Sequence, residues 1–137
     1  MNKDDLNTGN RGECLANEFL RNKGYDILDT NFFFKTETGK KIGEIDIIAK
    51  IRGVYVFIEV KTTTNNSLVG DYFCLEKRVN KNKVNKIILT ANSWFITKNM
   101  NMSSLKWQID VIGVIINNEE NDLRILHFEN VFEDKKF

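Results

Sequence analysis

The 137-residue chain carries 20 basic and 19 acidic residues for a formal net charge of +1, with 42% hydrophobic and 28% charged content. That is enough for one domain over 1–137 with a sizeable core, too short for two ordinary domains and too apolar for wholesale disorder. Near-neutrality supplies no bulk attraction for a polyanion, so any nucleic-acid contact has to be local. Cys14, Cys74 and the single histidine, His127, show no zinc-ligand spacing and read as reduced thiols plus a structural histidine. No secretory signal follows Met1 and no apolar run approaches a membrane span, so a soluble cytoplasmic protein with no membrane partner is expected.

In chain order, Asn7 to Lys23 has helical periodicity, with Leu15, Ala16, Phe19 and Leu20 on one side and Gly24 as terminator. Asn10 with Glu13 has the form of a capping box near its start. Tyr25 to Phe34 reads as a strand and Lys35 to Lys41 as a polar loop turning at Gly39. Ile42 to Ile51 and Val54 to Thr63 read as two strands joined by a tight turn at Arg52-Gly53. Thr64 to Asp71 is assigned to a loop. A second helix is expected from Lys77 or Asn80 to Ile96, with Val84, Ile87, Ile88, Ala91 and Phe95 inward. Lys106 to Ile116 and Leu123 to Phe128 read as strands, and the tail from Glu133 is expected to fray. Trp94, Phe95, Trp107, Ile112, Val114 and Ile116 are assigned to the core, and Asp110 to a hydrogen-bonded structural role. The order helix, three strands, helix, two strands predicts an α/β fold with a mixed sheet flanked by helices.

The hairpin carries the chemistry. Val54 to Ile58 is apolar on both alternating faces, as in a central strand, and Glu59 follows where a bare carboxylate is costly to bury. A two-residue turn pairs Ile51 with Val54, and counting back sets Asp46 opposite Glu59 and Glu44 opposite Lys61, all on one face. Two carboxylates that close repel unless a cation lies between them or one is protonated. A hard divalent ion suits such oxygen ligands, and Lys61 beside it could orient water or stabilise charge on a phosphate. The alternative is a solvated amphipathic hairpin with Glu44 and Lys61 as a surface ion pair.

The spacing of Asp46 from Glu59-Val60-Lys61 resembles the Asp…(Asp/Glu)-x-Lys signature of the restriction-endonuclease-like PD-(D/E)XK superfamily. More closely, the chain resembles the YraN-like family, described as predicted nucleases akin to Holliday-junction resolvases. The residues that carry this include Gly12-Glu13, Gly24-Tyr25, Asn31, Gly43 to Ala49, Val56 to Lys61, Gly70, Val79, Lys83, Ala91, Asp110-Val111 and Asn130 to Phe132. The resemblance implies a restriction-endonuclease-like sheet of about five strands and a Mg²⁺- or Mn²⁺-dependent endonuclease acting on DNA phosphodiester bonds, branched DNA included, as a homodimer. It makes Asp46 and Glu59 metal ligands, Glu13 an additional acidic ligand, and Lys61 the residue near the nucleophilic water. Phe33, Thr63 and Gln108 stand where relatives often carry arginine, and the loop before Gly43 is longer than is usual.

Lys77, Arg78, Lys81, Lys83 and Lys86 lie in an acid-free stretch that could contact phosphates or form a solvated helix face; Lys83 fits the family pattern. Two functions from different classes follow: a metal-dependent phosphodiesterase, or a non-catalytic nucleic-acid-binding or protein-interaction module of the same fold.

Overall fold

The computed structural model describes residues 3–64, 81–117, 119 and 122–132. In chain order its elements are α1 (Lys3–Asn22), β1 (Asp26–Lys35), β2 (Lys41–Ile51), β3 (Val54–Thr63), α2 (Lys81–Thr97), a 3₁₀ turn (Met102–Ser104), β4 (Trp107–Asn117) and β5 (Asp122–Phe128). The strands form one mixed sheet in the order β1-β2-β3-β4-β5, in which only the β3–β4 pairing is parallel. The α-β-β-β-α-β-β order and the five-stranded mixed sheet agree with the sequence reading. Cys74, Lys77, Arg78 and most of the Thr64–Asp71 segment lie outside the described residues, as do the tail and the side chain of Lys81.

Strand alternation divides the core in two. Val56 and Ile58 of β3 pack with Ala16 and Leu20 of α1 and with Ile112, Val114 and Ile116 of β4. The intervening Tyr55 and Phe57 pack instead with Ala91, Trp94 and Phe95 of α2. The helices therefore cover opposite faces, and β3 and β4 are buried on both sides, which is why they read as nearly continuous apolar runs. Of the positions expected to face inward on α2, Val84, Ala91 and Phe95 are buried, while Ile87 and Ile88 are only partly covered.

Local chemistry fixes the connections. At the end of α1, Tyr25 N–H donates to the Leu20 carbonyl and Gly24 N–H to the Arg21 carbonyl, each at 3.0 Å, with Gly24 at φ 91°; these are the two bonds of a Schellman terminus. Arg52 and Gly53 both take positive φ, 49° and 79°, closing the hairpin with Ile51 opposite Val54 as expected. Two expectations are corrected. α1 begins at Lys3, so Asn10 and Glu13 lie inside the helix and form no capping box. β2 begins at Lys41, because β1 holds it by pairing Lys35 with Lys41.

Two glycines set how closely the helices approach the sheet. A Cβ on Gly12 of α1 would fall 1.9 Å from Thr62 Oγ1 of β3. One on Gly43 of β2 would fall 2.3 Å from Thr90 Oγ1 and 3.2 Å from the Lys86 carbonyl of α2. Each glycine immediately precedes an acid, Glu13 or Glu44, so close packing and placement of the carboxylate are coupled.

Alanine at position 12 should improve intrinsic helix propensity by about 1 kcal/mol, yet the clash with β3 should outweigh it. Gly12→Ala is expected to destabilise the protein by about 1–3 kcal/mol in urea denaturation. Adding Thr62→Ala should recover part of that loss. Stabilisation by Gly12→Ala alone would show that α1 is not pressed against β3 here.

Candidate metal and phosphate site

The β2–β3 ladder runs from Ile51↔Val54 to Ile47↔Ile58 and stops, while β3 stays paired with β4 as far as Thr63↔Ile115. β2 meanwhile remains on β1 through Phe33↔Glu44 and Phe34↔Gly43. The two strands thus part immediately before Asp46 and after Ile58. Asp46 bridges the fork, its Oδ2 accepting the Val60 N–H at 2.8 Å. A side-chain carboxylate takes the donor that the next rung of the ladder would have satisfied.

This modifies the arrangement expected from strand counting. The register holds to Ile47↔Ile58, but Asp46 and Glu59 do not continue it as a ladder pair, and Glu44 pairs with Lys41 rather than Lys61. Strict alternation also fails across Asp46. Ile47 and Ala49 pack on the α1 side, whereas both Ile45 and Ile48 pack on the α2 side. Asp46 accordingly lines an open cleft of about 550 Å³ with Glu13, Asn17 and Asn31. Glu59 lines a narrower cavity of about 160 Å³ on the other side, walled by Ile45, Phe57, Lys83 and Ile87. The strands separate and twist, so the carboxylates approach the fork from both faces instead of sharing one.

The electrostatics follow from burial. Asp46 is pushed up to about 6, first by desolvation; Glu13, Glu59 and Glu44 raise it further, against the Val60 hydrogen bond. Glu13 is also raised, by burial and then by Glu44, although an Asn31 hydrogen bond opposes the shift. Asn31 is held at φ 53° on β1 between the pairs Thr30↔Ile47 and Phe32↔Ile45, which brackets it opposite Asp46. Glu59 has the opposite surroundings: its Oε1 lies 3.0 Å from Lys61 Nζ and 2.6 Å from Lys83 Nζ. Lys83 is lowered, chiefly by burial, with Glu59 opposing and Lys61 adding to the shift. Glu13, Glu44, Asp46 and Glu59 therefore interact around one fork, with Lys61 and Lys83 on Glu59 and Lys41 on Glu44. Lys83, singled out in the sequence for phosphate contact, is in this group.

A different cluster meets a tighter geometric standard. Among the described residues, Asp110, His127 and Glu129 form the set of metal-capable side chains whose ligand atoms all lie within 4.8 Å of one another, and they could hold a metal ion. Glu13, Asp46 and Glu59 do not close to that distance. The Asp110 carboxylate is fully buried and accepts from Gln108 Nε2 at 2.9 Å, Asn130 N–H at 2.9 Å and His127 Nε2 at 2.7 Å. His127 Nδ1 lies 3.2 Å from Lys23 Nζ, so the neutral ring protonated at Nε2 satisfies both partners. Tyr25 Oη donates to Glu129 at 3.4 Å, and its hydroxyl is pushed up to about 12 by burial and then by Asp110 and Glu129. With these partners the cluster ties β4, β5 and the end of α1 together without an ion. Asp110 thus has the hydrogen-bonded role expected of it. The sequence reading missed its grouping with His127 and Glu129. The signal was their i, i+2 spacing, with His127 on β5 in register opposite Ile112 and Glu129 just past the strand's end.

The raised Asp46 gives a signed pH dependence in metal-free protein. A carboxyl whose folded pKa exceeds its unfolded value contributes stability that is present below the unfolded value, 3.8, and lost as pH rises through about 6. The amide introduced by Asp46→Asn keeps an acceptor for the Val60 N–H but carries no charge. Asp46→Asn in EDTA should therefore be more stable than wild type by about 1–3 kcal/mol at pH 8. The gain should shrink towards zero by pH 4; an equal difference at both pH values would contradict the assignment.

Comparison with known proteins finds relatives over nearly the whole chain. A UPF0102 protein of Clostridium botulinum is 37% identical over 125 residues, covering 91% of this chain and 93% of its own. One from Clostridium tetani is 35% identical over 133 residues, covering 97% and 99%, and one from Persephonella marina 34% over 125 residues, covering 91% and 92%. The model for the uncharacterised protein family UPF0102 matches residues 12–114, a span that includes Glu13, Asp46, Glu59, Lys61, Lys83 and Asp110. The chain belongs to the UPF0102 family.

Proposed function

We propose that this protein is a metal-dependent nuclease of the PD-(D/E)XK type that hydrolyses DNA phosphodiester bonds at the β2–β3 fork. The observation that carries this reading is the desolvated Asp46 carboxylate at the fork, in electrostatic reach of Glu13, Glu44 and Glu59. Three further acids act on this partly buried carboxylate, and their mutual repulsion favours a cation. The donor set is all oxygen, which fits Mg²⁺ or Mn²⁺ better than a softer ion. Asp46, Glu59 and Glu13 would hold the ion. When bound, it would polarise a phosphate oxygen and make a nearby water easier to deprotonate.

The chain's own residues account for the rest. Lys61 follows Glu59 by two residues on β3 and is paired with it. Ion binding by Glu59 would release the Lys61 ammonium to orient the attacking water or to offset charge on the phosphate. Lys83, lowered by burial, supplies a second cation within reach of Glu59. In the step itself a water gives up a proton to solvent as its oxygen bonds to phosphorus, the bond to the leaving sugar oxygen breaks, and the departing oxygen takes up a proton from solvent. The open cleft of about 550 Å³ beside α1 would be the approach of a nucleic-acid strand to Asp46.

The present pairing of Glu59 with two lysines favours the second reading, in which the fold binds nucleic acid without cleaving it. Activity separates the two. With Mg²⁺ or Mn²⁺, wild-type protein should cut at least one of labelled linear, flap and four-way junction DNA. Lys61→Ala should reduce the rate by about 100-fold or more while Asp46→Ala abolishes it. Binding without metal-dependent cleavage on all three substrates would replace the nuclease by the non-cleaving module.

A further inference from the structure

One exposed aromatic sits beside this site without serving the core. Phe33 on the edge strand β1 is 45% exposed, whereas its neighbour Phe32 packs into the cluster under α2. Its ring carries two cations, Lys35 Nζ at 4.7 Å and Lys41 Nζ at 5.5 Å from the centroid. Its cross-strand partner is Glu44, which interacts electrostatically with both Glu13 and Asp46. Directly paired residues share a face, so the ring stands on the side from which Glu44 addresses the carboxylates. One step across the ladder and two along β2 put it on the order of 8 Å from Asp46.

We infer that Phe33 is a stacking platform for an unpaired base of nucleic acid lying next to the phosphate at Asp46, with Lys35 and Lys41 flanking it to meet the backbone. The inference rests on the nuclease reading for its phosphate position and deepens it by naming the substrate class, a strand with at least one unstacked nucleotide beside the scissile bond. An exposed ring with adjacent ammonium groups has the composition of single-strand sites, where bases stack on aromatics and cations follow the phosphates. Lys35 sits on a flexible four-carbon stem and can move from the ring to a phosphate as a base arrives, and Lys41 would exchange its pairing with Glu44 for one. Duplex DNA offers no free base face and would gain little from the ring.

The test is fluorescence anisotropy of the full-length protein in EDTA, with a labelled 12-nucleotide oligothymidine and a blunt hairpin duplex as probes. Phe33→Ala should weaken binding of the single strand by about tenfold or more, and of the duplex by less than about twofold. Phe33→Trp should retain single-strand affinity, with its exposed indole emission quenched on binding. Thermal unfolding of both variants checks that the fold persists. Equal single-strand affinity in wild type and Phe33→Ala, or unquenched emission in a binding-competent Phe33→Trp, would overturn the inference. If that happened while wild type still cut DNA with Mg²⁺ and Asp46→Ala did not, the nuclease reading would stand without a stacking subsite. If Phe33→Ala lost single-strand binding but wild type cut nothing, the platform would stand and the nuclease reading would fall. Absence of any nucleic-acid binding by wild type would remove both.

Discussion

The hydrogen bond from Val60 N–H to Asp46 is the constraint on which the site depends. Where β2 and β3 separate, a backbone donor on the buried central strand would be orphaned, at a cost of about 1–3 kcal/mol. Asp46 supplies the acceptor, and so a carboxylate is drawn into a partly desolvated position between diverging strands. The hydrogen bond lowers its pKa, but burial and three nearby acids outweigh it. The fold therefore holds a carboxylate where its charge is disfavoured until something positive arrives.

The surrounding structure serves that fork from two directions. α1 is pressed against Thr62 at Gly12, which sets the following Glu13 in the cleft beside Asp46. α2 is pressed against β2 at Gly43, which brings Lys83 to Glu59 across the opposite cavity. Because each helix covers a different face, Glu13 reaches Asp46 from the α1 side, while Lys83 meets Glu59 on the α2 side. Glu59 is already neutralised by Lys61 and Lys83, whereas Asp46 and Glu13 have no comparable cation among the described residues and are raised. That asymmetry sets the carboxylates apart: Asp46 and Glu13 lack such a paired cation among the described residues, whereas an ion bound by Glu59 would have to displace a lysine. The Asp110–His127–Glu129 cluster contrasts with both, since its buried carboxylate is fully hydrogen-bonded by protein donors.

Much of the fold was legible because local rules and burial agree. The short continuous apolar runs of β3 and β4, the Arg52-Gly53 turn and the Gly24 terminator are each legible locally, and the element order follows from them. The hairpin register was readable down to Ile47↔Ile58 for the same reason. It failed one residue further on because nothing local announces that β2 leaves β3 to stay with β1. The parting depends on tertiary packing of Ile45 and Ile48 under α2, which strict alternation would have put on opposite faces. The missed grouping of His127 with Asp110 has a similar origin: their proximity depends on the β4–β5 register, which the intervening turn residues left open. α1 starts at Lys3, one turn before the expected Asn7, and the Asn10–Glu13 spacing imitates a cap within it.

The proposed nuclease requires the divalent ion to bind at the fork, and not at the Asp110 cluster, and to bind the ionised form of Asp46. Isothermal titration of Mn²⁺ in two buffers of different ionisation enthalpy, between pH 5 and 8, measures affinity and proton release together. Binding should weaken as pH falls below about 6, with protons released near that pH, and the site should be lost in Asp46→Asn but not in His127→Gln. Binding that survives Asp46→Asn and disappears in His127→Gln would place the ion at the other cluster and leave the fork without one.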